Sequence, residues 1–340
     1  MTQLSSRHAA LRQFATNALA DPTTALTPAS VDASFRSYWR STGEHGNHIV
    51  MDAPPEHEDV APWLDVAGRL EKAGVHVPEI LASDVAQGFV LMEDLGNRTY
   101  LPELNGDSVD ALYDAAMDAL LAMQAGADAT GLPRYDCERL LNEMQLLPTW
   151  FLEQHLGHAP TVGETTVLER AFGWLAHVAA EQPKVFVHRD FHSRNLLVCE
   201  NNNPGVIDFQ DAVLGPLTYD LVSLLRDCYI EWDDGRVEAW VESYRLRALD
   251  AGLIEPGVDA KVFQRWFDLI GVQRHIKVLG IFCRLWYRDG KAQYLGDLPL
   301  VWRYIARIAR RYPELADLLA LLEKAVGDRD LTHAVSRALA

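Results

Sequence analysis

The fold of this chain can be argued from one stretch, VFVHRDFHSRNLLV at residues 185–198. Three polar side chains, Asp190, His192 and Asn195, stand there between two runs of large apolar residues, and those runs predict two short strands. A further aspartate, Asp208, follows in the apolar run VIDF, thirteen residues beyond Asn195. Apolar strands on either side would hold these polar groups rigidly. A surface loop of solvated acids is the alternative, but it leaves the flanking leucines and valines unexplained.

Two acids and an amide delivered from adjacent loops suit phosphoryl transfer from ATP. That reaction needs a carboxylate beside the acceptor hydroxyl and oxygen ligands for Mg²⁺, because catalysis is mostly positioning and neutralisation of phosphate charge. The sequence therefore predicts that Asp190 is the catalytic base and that Asn195 and Asp208 bind the metal. ATP and Mg²⁺ are the expected cofactors.

The spacing of His188, Arg189, Asp190 and Asn195, followed by Asp208 in IDF, resembles the aminoglycoside and choline kinase group, which is related to the protein kinases. Further stretches resemble bacterial sugar kinases that phosphorylate the anomeric hydroxyl of N-acetylmuramate and N-acetylglucosamine in cell-wall recycling. These stretches are DASFRSYWR, IVMDAPPEHED, GVIDFQDAVLGPLTYDLVSLLRDCY and KVLGIFCRLWYRDGK. The resemblance extends over residues 32–291 and implies an amino sugar as the acceptor.

The resemblance implies an α+β, protein-kinase-like fold with two lobes. Residues 1–94 would form a small N-terminal lobe, and residues 95–340 a larger, mainly helical lobe with the catalytic loop and acceptor site. The residue patterns agree, since the aromatic and β-branched runs SFRSYWRST, NHIVMDAP and GFVLMEDL predict strands of one antiparallel sheet. The proline-containing run DPTTALTPAS predicts a loop, and a helix is predicted from residue 137 to 156.

The resemblance also assigns the nucleotide site. VLMEDLG would be the segment between the lobes that recognises adenine, with Glu93 and Leu95 as the candidate contacts. DASFRSYWR would be the turn that covers the phosphates, with Ser34, Phe35 and Arg36 near the nucleotide. From the residues alone, the two segments are an ordinary strand end and an ordinary strand start.

Two features depart from the protein-kinase pattern. The chain has no G-x-G-x-x-G motif, and Asp52 stands near the place where a phosphate-binding lysine is expected. An acid there would repel ATP unless a cation intervenes. Our hypothesis is that Arg36 or Arg40 supplies the positive charge, because arginine binds phosphate in a bidentate manner; a plain surface role is the alternative.

Acceptor selection is expected from the catalytic loop and the C-terminal lobe. An arginine suits the lactyl carboxylate of N-acetylmuramate, and this is the role we predict for Arg284. The candidate acceptor contacts are His192, Arg194, Asp211 and Arg284. The basic cluster Arg274, His275 and Lys277 is unusual in an acidic chain, and a solvated helix face is its plain alternative explanation.

Composition excludes several classes of protein. The 340 residues have a formal net charge of −17, which opposes binding to a nucleic-acid backbone. No apolar run has the length of a membrane span, and the four cysteines form no C-x-x-C pair. We therefore expect a cytoplasmic protein that binds neither membranes nor zinc and has no disulfides, and we expect it to be a monomer.

Two other functions stay open. One is a kinase for an aminoglycoside, choline or another sugar, and the other is a nucleotide-binding scaffold without catalysis.

Overall fold

In a computed structural model, the structure describes residues 2–31, 35–43 and 46–333. The chain forms two compact units. Unit 1 comprises Met1–Asp128 and Arg194–Asp211, and unit 2 comprises Ala129–Ser193 and Ala212–Ala340. The expected boundary between residues 94 and 95 stays a prediction.

Unit 1 is built on an antiparallel sheet, as the sequence predicts. Its strands are β1 (Ala25–Val31), β2 (Ser37–Thr42), β3 (His48–Asp52), β4 (Ile80–Asp84) and β5 (Phe89–Glu93). Their order is β1-β2-β3-β5-β4, with every neighbouring pair antiparallel. The prediction of a loop for DPTTALTPAS was wrong, because β1 begins within it. As an edge strand, β1 tolerates Pro28, beside which the pairing register shifts.

Helix α1 (Thr2–Leu19) covers one face of this sheet. Leu11 and Ala15 of the helix are fully buried against Val50, Phe89 and Leu91 of the central strands. Alternate strand residues point to the same face, so this apolar set fixes the register of β3 and β5. The core of the sheet therefore positions the end of β5, where VLMEDLG lies.

The other elements of unit 1 are a helix between β3 and β4, two helices after β5, and two short strands from later in the chain. Helix α2 ends as Gly74 adopts a left-handed φ of 78°, which an L side chain rarely accommodates. These elements are α2 (Ala61–Lys72), α3 (Tyr100–Glu103), α4 (Val109–Gly126) and the short paired strands β7 (Leu196–Leu197) and β8 (Gly205–Val206).

Unit 2 is mainly helical, and β6, which pairs antiparallel with β9, leads into the loop that the sequence predicts to be catalytic. The helix predicted over residues 137–156 is divided, because Pro148 stands near the start of a separate π-helix. The elements are α5 (Cys137–Met144), the π-helix (Leu147–His155), α6 (Val162–Glu181), β6 (Lys184–Val187), β9 (Val213–Pro216), α7 (Tyr219–Leu225), α8 (Asp234–Asp250), α9 (Ala260–Tyr287), α10 (Leu298–Ala309) and α11 (Ala316–Val326), with 3₁₀ turns at Ala292–Asp297 and Pro313–Leu315.

Helix α9 runs through the centre of unit 2 and is buried around its circumference over most of its length. At Gly280 it approaches the start of the π-helix so closely that an added Cβ would lie 2.5 Å from the carbonyl carbon of Leu146. Arg274, His275 and Lys277 are 4%, 1% and 7% exposed. The explanation of this cluster as a solvated helix face was therefore wrong.

Within the described ranges, none of the helices combines the length and apolar character that crossing a membrane requires.

Candidate active site

A buried carboxylate fixes the start of the catalytic loop that follows β6. Asp220 accepts hydrogen bonds from the backbone N–H of His188 at 2.6 Å and of Arg189 at 2.9 Å. Arg189 has a left-handed φ of 79°, a strained conformation that its fixed surroundings must stabilise. Burial raises the pKa of Asp220 to about 7, against the opposing effect of the two backbone donors. The loop is thus held in one conformation directly before Asp190.

A second buried carboxylate holds the loop three residues beyond Asp190. Asp227 accepts a hydrogen bond from the backbone N–H of Ser193 at 3.0 Å and another from the Ser193 hydroxyl. The intervening backbone is tightened because the N–H of His192 donates to the carbonyl of Asp190 at 3.0 Å. The candidate base therefore lies between two anchored points of the loop.

Asp190 is held as a carboxylate by the positive charges around it. Burial alone would raise its pKa, but Lys277, His192, Arg274 and Arg189 together bring the pKa below the ordinary value. Opposite charges favour the ionised form of a carboxyl group. Asp190 is therefore deprotonated at neutral pH, as a proton acceptor must be.

Asp190 opens into a cavity within unit 2, which we call the acceptor cavity. Tyr229 and Phe282 form an aromatic wall, with their rings stacked at a centroid distance of 6.3 Å. Aromatic faces of this kind suit the apolar side of a sugar ring. The described lining includes Asp190, His192, Tyr229, Arg274, Lys277 and Phe282.

One of the two cations in this lining belongs to a buried network. The Lys277 ammonium lies 3.2 Å from a Glu143 carboxylate oxygen and donates to the Tyr219 hydroxyl at 3.1 Å. Glu143 also pairs with Arg189 at 2.6 Å and accepts a hydrogen bond from the Tyr135 hydroxyl. Burial raises the pKa of Glu143, but Lys277 and Arg189 bring it below its usual value. Lys277 is thus fixed beside Asp190 with its charge already balanced.

In unit 1, the two predicted metal ligands lie side by side. Strands β7 and β8 pair, and the Ile207 N–H continues the ladder by donating to the Asn195 carbonyl at 3.1 Å. The Asn195 side-chain amide donates to Asp208 Oδ2 at 3.1 Å, while Gln210 donates to Oδ1 at 2.9 Å. Asn195 and Asp208 thus lie in contact, and their predicted role as metal ligands stays a prediction.

The donor set at this point fits Mg²⁺. Among the described residues, no group of three or more His, Cys, Asp and Glu side chains is arranged to hold a metal ion. Mg²⁺ in phosphoryl-transfer sites is usually bound through one or two carboxylates together with substrate phosphates, so a dense protein cage is not needed. The Asp208 carboxylate and the Asn195 amide oxygen could supply the protein's share of the ligands.

A cavity of about 470 Å³ in unit 1 joins the metal candidates to the predicted adenine segment. Its walls combine apolar side chains with a few polar groups, as small-molecule sites commonly do. The structure thus brings Glu93 and Leu95 to the same cavity as Asn195 and Asp208. The described lining includes Ile49, Met92, Glu93, Leu95, Asn195 and Asp208.

The candidate phosphate cations are both paired with acids. Arg36 is 8% exposed and lies 3.2 Å from Glu58, in a second cavity of about 300 Å³ that also includes Asp211. Arg40 binds Asp94 through contacts of 2.6 and 3.0 Å, at the edge of the larger cavity.

Three further residues near the predicted nucleotide site are Phe35, Asp52 and Ser34. Phe35 is 65% exposed and stacks on His57 with ring centroids 4.4 Å apart. Asp52 is bound by Arg7, whose Nε donates to it at 2.8 Å, so its charge is balanced inside unit 1. Ser34 lies outside the described residues.

Of the four predicted acceptor contacts, the described lining of the acceptor cavity includes one. His192 lines the acceptor cavity of unit 2. Arg194 and Asp211 are exposed and belong to unit 1. Arg284 is half-buried on α9 and is not among the described residues that line the acceptor cavity, and burial lowers its pKa.

Sequence reasoning missed the two loop anchors and the two cavity cations. Asp220 and Asp227 are seven residues apart in the apolar run YDLVSLLRDCY, and isolated acids in such a run indicate buried, hydrogen-bonded carboxylates. Arg274 and Lys277 are three residues apart on a helix whose surrounding residues are largely apolar. Both patterns were visible, but neither identifies the partner in space.

Comparison with known proteins identifies the family. The model described as the phosphotransferase enzyme family, APH, matches residues 25–253. The chain is 49% identical over 302 residues to the N-acetylmuramate/N-acetylglucosamine kinase of Pseudomonas aeruginosa, covering 88% of both chains. It is 44% identical over 311 residues to the protein of the same name from Neisseria meningitidis, covering 90% of this chain and 92% of that one.

Solved structures agree in fold. Choline kinase LicA from Streptococcus pneumoniae matches with a TM-score of 0.62 at 11% identity, over 88% of this chain and 99% of that one. The ADP-bound aminoglycoside phosphotransferase APH(2'')-Ib matches with a TM-score of 0.58 at 14% identity, over 88% and 98%. At such identities the likeness shows the fold alone, and it confirms the predicted kinase-like class. The family match and the high-identity relatives together show that this chain belongs to the APH phosphotransferase enzyme family.

Proposed function

We propose that this protein is an ATP-dependent sugar kinase that phosphorylates the anomeric hydroxyl of N-acetylmuramate and N-acetylglucosamine. The product would be the sugar 1-phosphate, formed in the cytoplasm during cell-wall recycling. The names of the relatives from Pseudomonas aeruginosa and Neisseria meningitidis support the two sugars. Membership of the phosphotransferase family supports the reaction type.

The charge of the acceptor cavity is the observation that favours such a sugar most. Arg274 and Lys277 both line it, and Asp190 is the one carboxylate among its described lining residues. A cationic acceptor such as choline or an aminoglycoside would meet these two cations at close range, and like-charge contacts select against a partner. A neutral or anionic sugar meets no such penalty.

The state of Asp190 fits an anomeric hydroxyl. An aspartate whose pKa lies below the ordinary value stays ionised but is a weak base. An anomeric hydroxyl is more acidic than an ordinary alcohol, so it loses its proton to a weak base more readily. In this mechanism the Asp190 carboxylate accepts the hydroxyl proton as the oxygen attacks the terminal phosphorus of ATP, the bond from that phosphorus to the bridging oxygen breaks and ADP leaves, and no phosphoenzyme forms.

The nucleotide side is assigned to unit 1. We propose that the cavity bordered by Glu93 and Leu95 binds the adenine of ATP and that Asn195 and Asp208 hold Mg²⁺. The metal, when bound, neutralises charge on the phosphates. Arg36, oriented by Glu58, is the better candidate for the phosphate cation, because Arg40 is bound by Asp94 through two contacts.

Among the predicted acceptor contacts, the one that we propose is His192. His192 would contact the sugar from the wall of the acceptor cavity. Arg194, Asp211 and Arg284 stay predictions, and so do Ser34 and Phe35 at the nucleotide.

A panel of acceptors tests the proposal. Phosphate transfer from ATP would be measured with N-acetylmuramate, N-acetylglucosamine, choline and kanamycin at equal concentrations. We expect turnover with the two N-acetyl sugars and none with the two cations. Turnover with choline or kanamycin alone would contradict the proposal. Nucleotide binding without turnover on any acceptor would favour the non-catalytic scaffold.

A further inference from the structure

Arg274 differs from the other buried cations of unit 2 in lacking a carboxylate partner. Arg226 pairs with Asp268 at 2.7 Å, and Lys277 has Glu143 at 3.2 Å. Among the described residues, the hydrogen bond of the Arg274 side chain goes to the Cys228 sulfur, at 3.3 Å, and no acid lies within ion-pair distance. A charge that is 4% exposed and has no anionic partner is costly to bury.

The Cys228 sulfur cannot balance this charge. Burial raises the pKa of Cys228 to about 11, so it remains a neutral thiol at physiological pH. Asp190, which influences Arg274 electrostatically, is the proposed base and must serve the acceptor hydroxyl. The Asp220 carboxylate also attracts Arg274 electrostatically, but it is already bound by the backbone N–H groups of His188 and Arg189. Arg274 therefore presents to the acceptor cavity that it lines a guanidinium with no ion-pair partner among the described residues.

A guanidinium in this setting is well suited to a carboxylate. Its planar fork donates two parallel hydrogen bonds to the two oxygens of such a group. Of the two sugars named for the relatives, N-acetylmuramate differs from N-acetylglucosamine by a lactyl ether that adds one carboxylate. One unbalanced positive charge in the cavity thus matches the one negative charge that distinguishes the sugars.

We infer that Arg274 is the residue that binds the carboxylate of an anionic amino sugar, so that this protein selects N-acetylmuramate over N-acetylglucosamine. This inference rests on the proposed function and names the preferred substrate within it. Lys277 is not assigned the role, because Glu143 and two tyrosine hydroxyls, those of Tyr135 and Tyr219, already surround its ammonium group.

The test compares kcat/KM for three sugars: N-acetylmuramate, its carboxamide and N-acetylglucosamine. For Arg274→Gln we expect the preference for N-acetylmuramate over N-acetylglucosamine to fall about 30- to 100-fold, mainly through KM, since hydrogen bonds to charged groups have this strength. Arg274→Lys should retain part of the preference, because it keeps the charge and loses the fork. In the wild type, the carboxamide should behave like N-acetylglucosamine.

Arg265→Gln is the matched control, since Arg265 is another arginine of the same helix, lies 3.5 Å from Glu181 and is outside the described lining of the cavity. It should leave the preference unchanged, and a loss of preference in this variant instead would overturn the inference. An equal loss for both sugars in Arg274→Gln would also overturn it, because that result indicates a structural role or an effect on the pKa of Asp190.

If Arg274→Gln fails to fold, the wild type still tests the inference. Equal wild-type kcat/KM for N-acetylmuramate and its carboxamide would then be decisive against it. Phosphorylation of neither sugar by the wild type would instead remove the proposed function, and this inference with it.

Discussion

The cavities of the two units differ in how their charges are balanced. In unit 1 the arginines are already neutralised, Arg40 by Asp94 and Arg36 by Glu58, and the oxygens of Asp208 and Asn195 stand together. In unit 2 the described lining of the acceptor cavity has one carboxylate and two cations, of which Lys277 is paired with Glu143 and Arg274 has no acid as an ion-pair partner among the described residues. The first arrangement suits a metal ion with its nucleotide, and the second suits a neutral or anionic acceptor. A net charge of −17 summed over the whole chain indicates neither.

The largest effect is expected at the carboxylate of the acceptor cavity. Asp190→Asn removes the proton acceptor but keeps the shape of the side chain, so kcat should fall about 10³- to 10⁴-fold, the upper range for loss of a general base. Nucleotide affinity should stay the same, because Asp190 is not among the described residues that line the nucleotide cavity. Steady-state kinetics and calorimetric titration with ADP would measure the two quantities. Wild-type turnover in the variant would remove Asp190 from its role.

The next prediction separates a structural arginine from a binding one. Arg226→Gln leaves the buried Asp268 with Tyr312 and Gln264 as hydrogen-bond donors and the more distant Arg311, at 3.8 Å, as its cation, and should lower the free energy of unfolding by about 3 kcal/mol. Arg274→Gln breaks a hydrogen bond to a neutral thiol and no close ion pair among the described residues, so it should cost less than about 1 kcal/mol. Chemical denaturation followed by circular dichroism would compare them. Equal destabilisation would mean that Arg274 is a structural residue.

A third prediction addresses the metal candidates of unit 1. Asp208→Ala removes the carboxylate of the proposed Mg²⁺ site, and the affinity for ADP in the presence of Mg²⁺ should fall by at least about 100-fold. In EDTA, the variant and the wild type should bind ADP alike. Asp107→Ala is the control, since this acid of unit 1 is exposed and is not among the described residues that line the two cavities of that unit considered above. An undiminished Mg²⁺ effect in Asp208→Ala would contradict the assignment.

The smallest effect is a shift in pH dependence. Burial has the largest effect on the pKa of Asp190 and raises it, and Lys277 has the next largest effect and lowers it. His192, Arg274 and Arg189 also lower this pKa. Removing this charge in Lys277→Met should therefore raise the pKa of Asp190. The acid limb of the kcat/KM profile should move to higher pH by about one unit, since activity needs the ionised base.

A conservative variant controls that measurement. Lys277→Arg keeps the charge and should leave the acid limb where it is in the wild type. An unmoved limb in Lys277→Met would mean that the cations of the cavity do not set the state of Asp190.

The features that the sequence predicted correctly are those encoded by short patterns. The aromatic and β-branched residues of the runs around Trp39, Val50 and Leu91 were enough to predict three strands of the sheet. The spacing of Asn195 and Asp208 agrees with their contact in the structure, because the two short strands next to them, connected by residues 198–204, pair side by side. In both cases neighbours in the chain are neighbours in space.

The features that it missed depend on distant partners. Strand β1 includes Pro28, which local patterns assign to a loop and which only an edge position accommodates. The burial of Arg274 and Lys277 depends on the elements packed around α9, and residue spacing cannot show that a basic helix face is enclosed. Asp220 and Asp227 bind backbone groups about 30 residues earlier in the chain, and the chain pattern does not specify that pairing.

One phosphorus NMR spectrum tests the central claim most directly. The protein would be incubated with ATP, Mg²⁺ and equal amounts of N-acetylmuramate and choline, and the products would be identified by their phosphorus chemical shifts and proton couplings. We predict a sugar 1-phosphate, coupled to the anomeric proton, as the new phosphoester. Phosphocholine or a sugar 6-phosphate in its place would contradict the account.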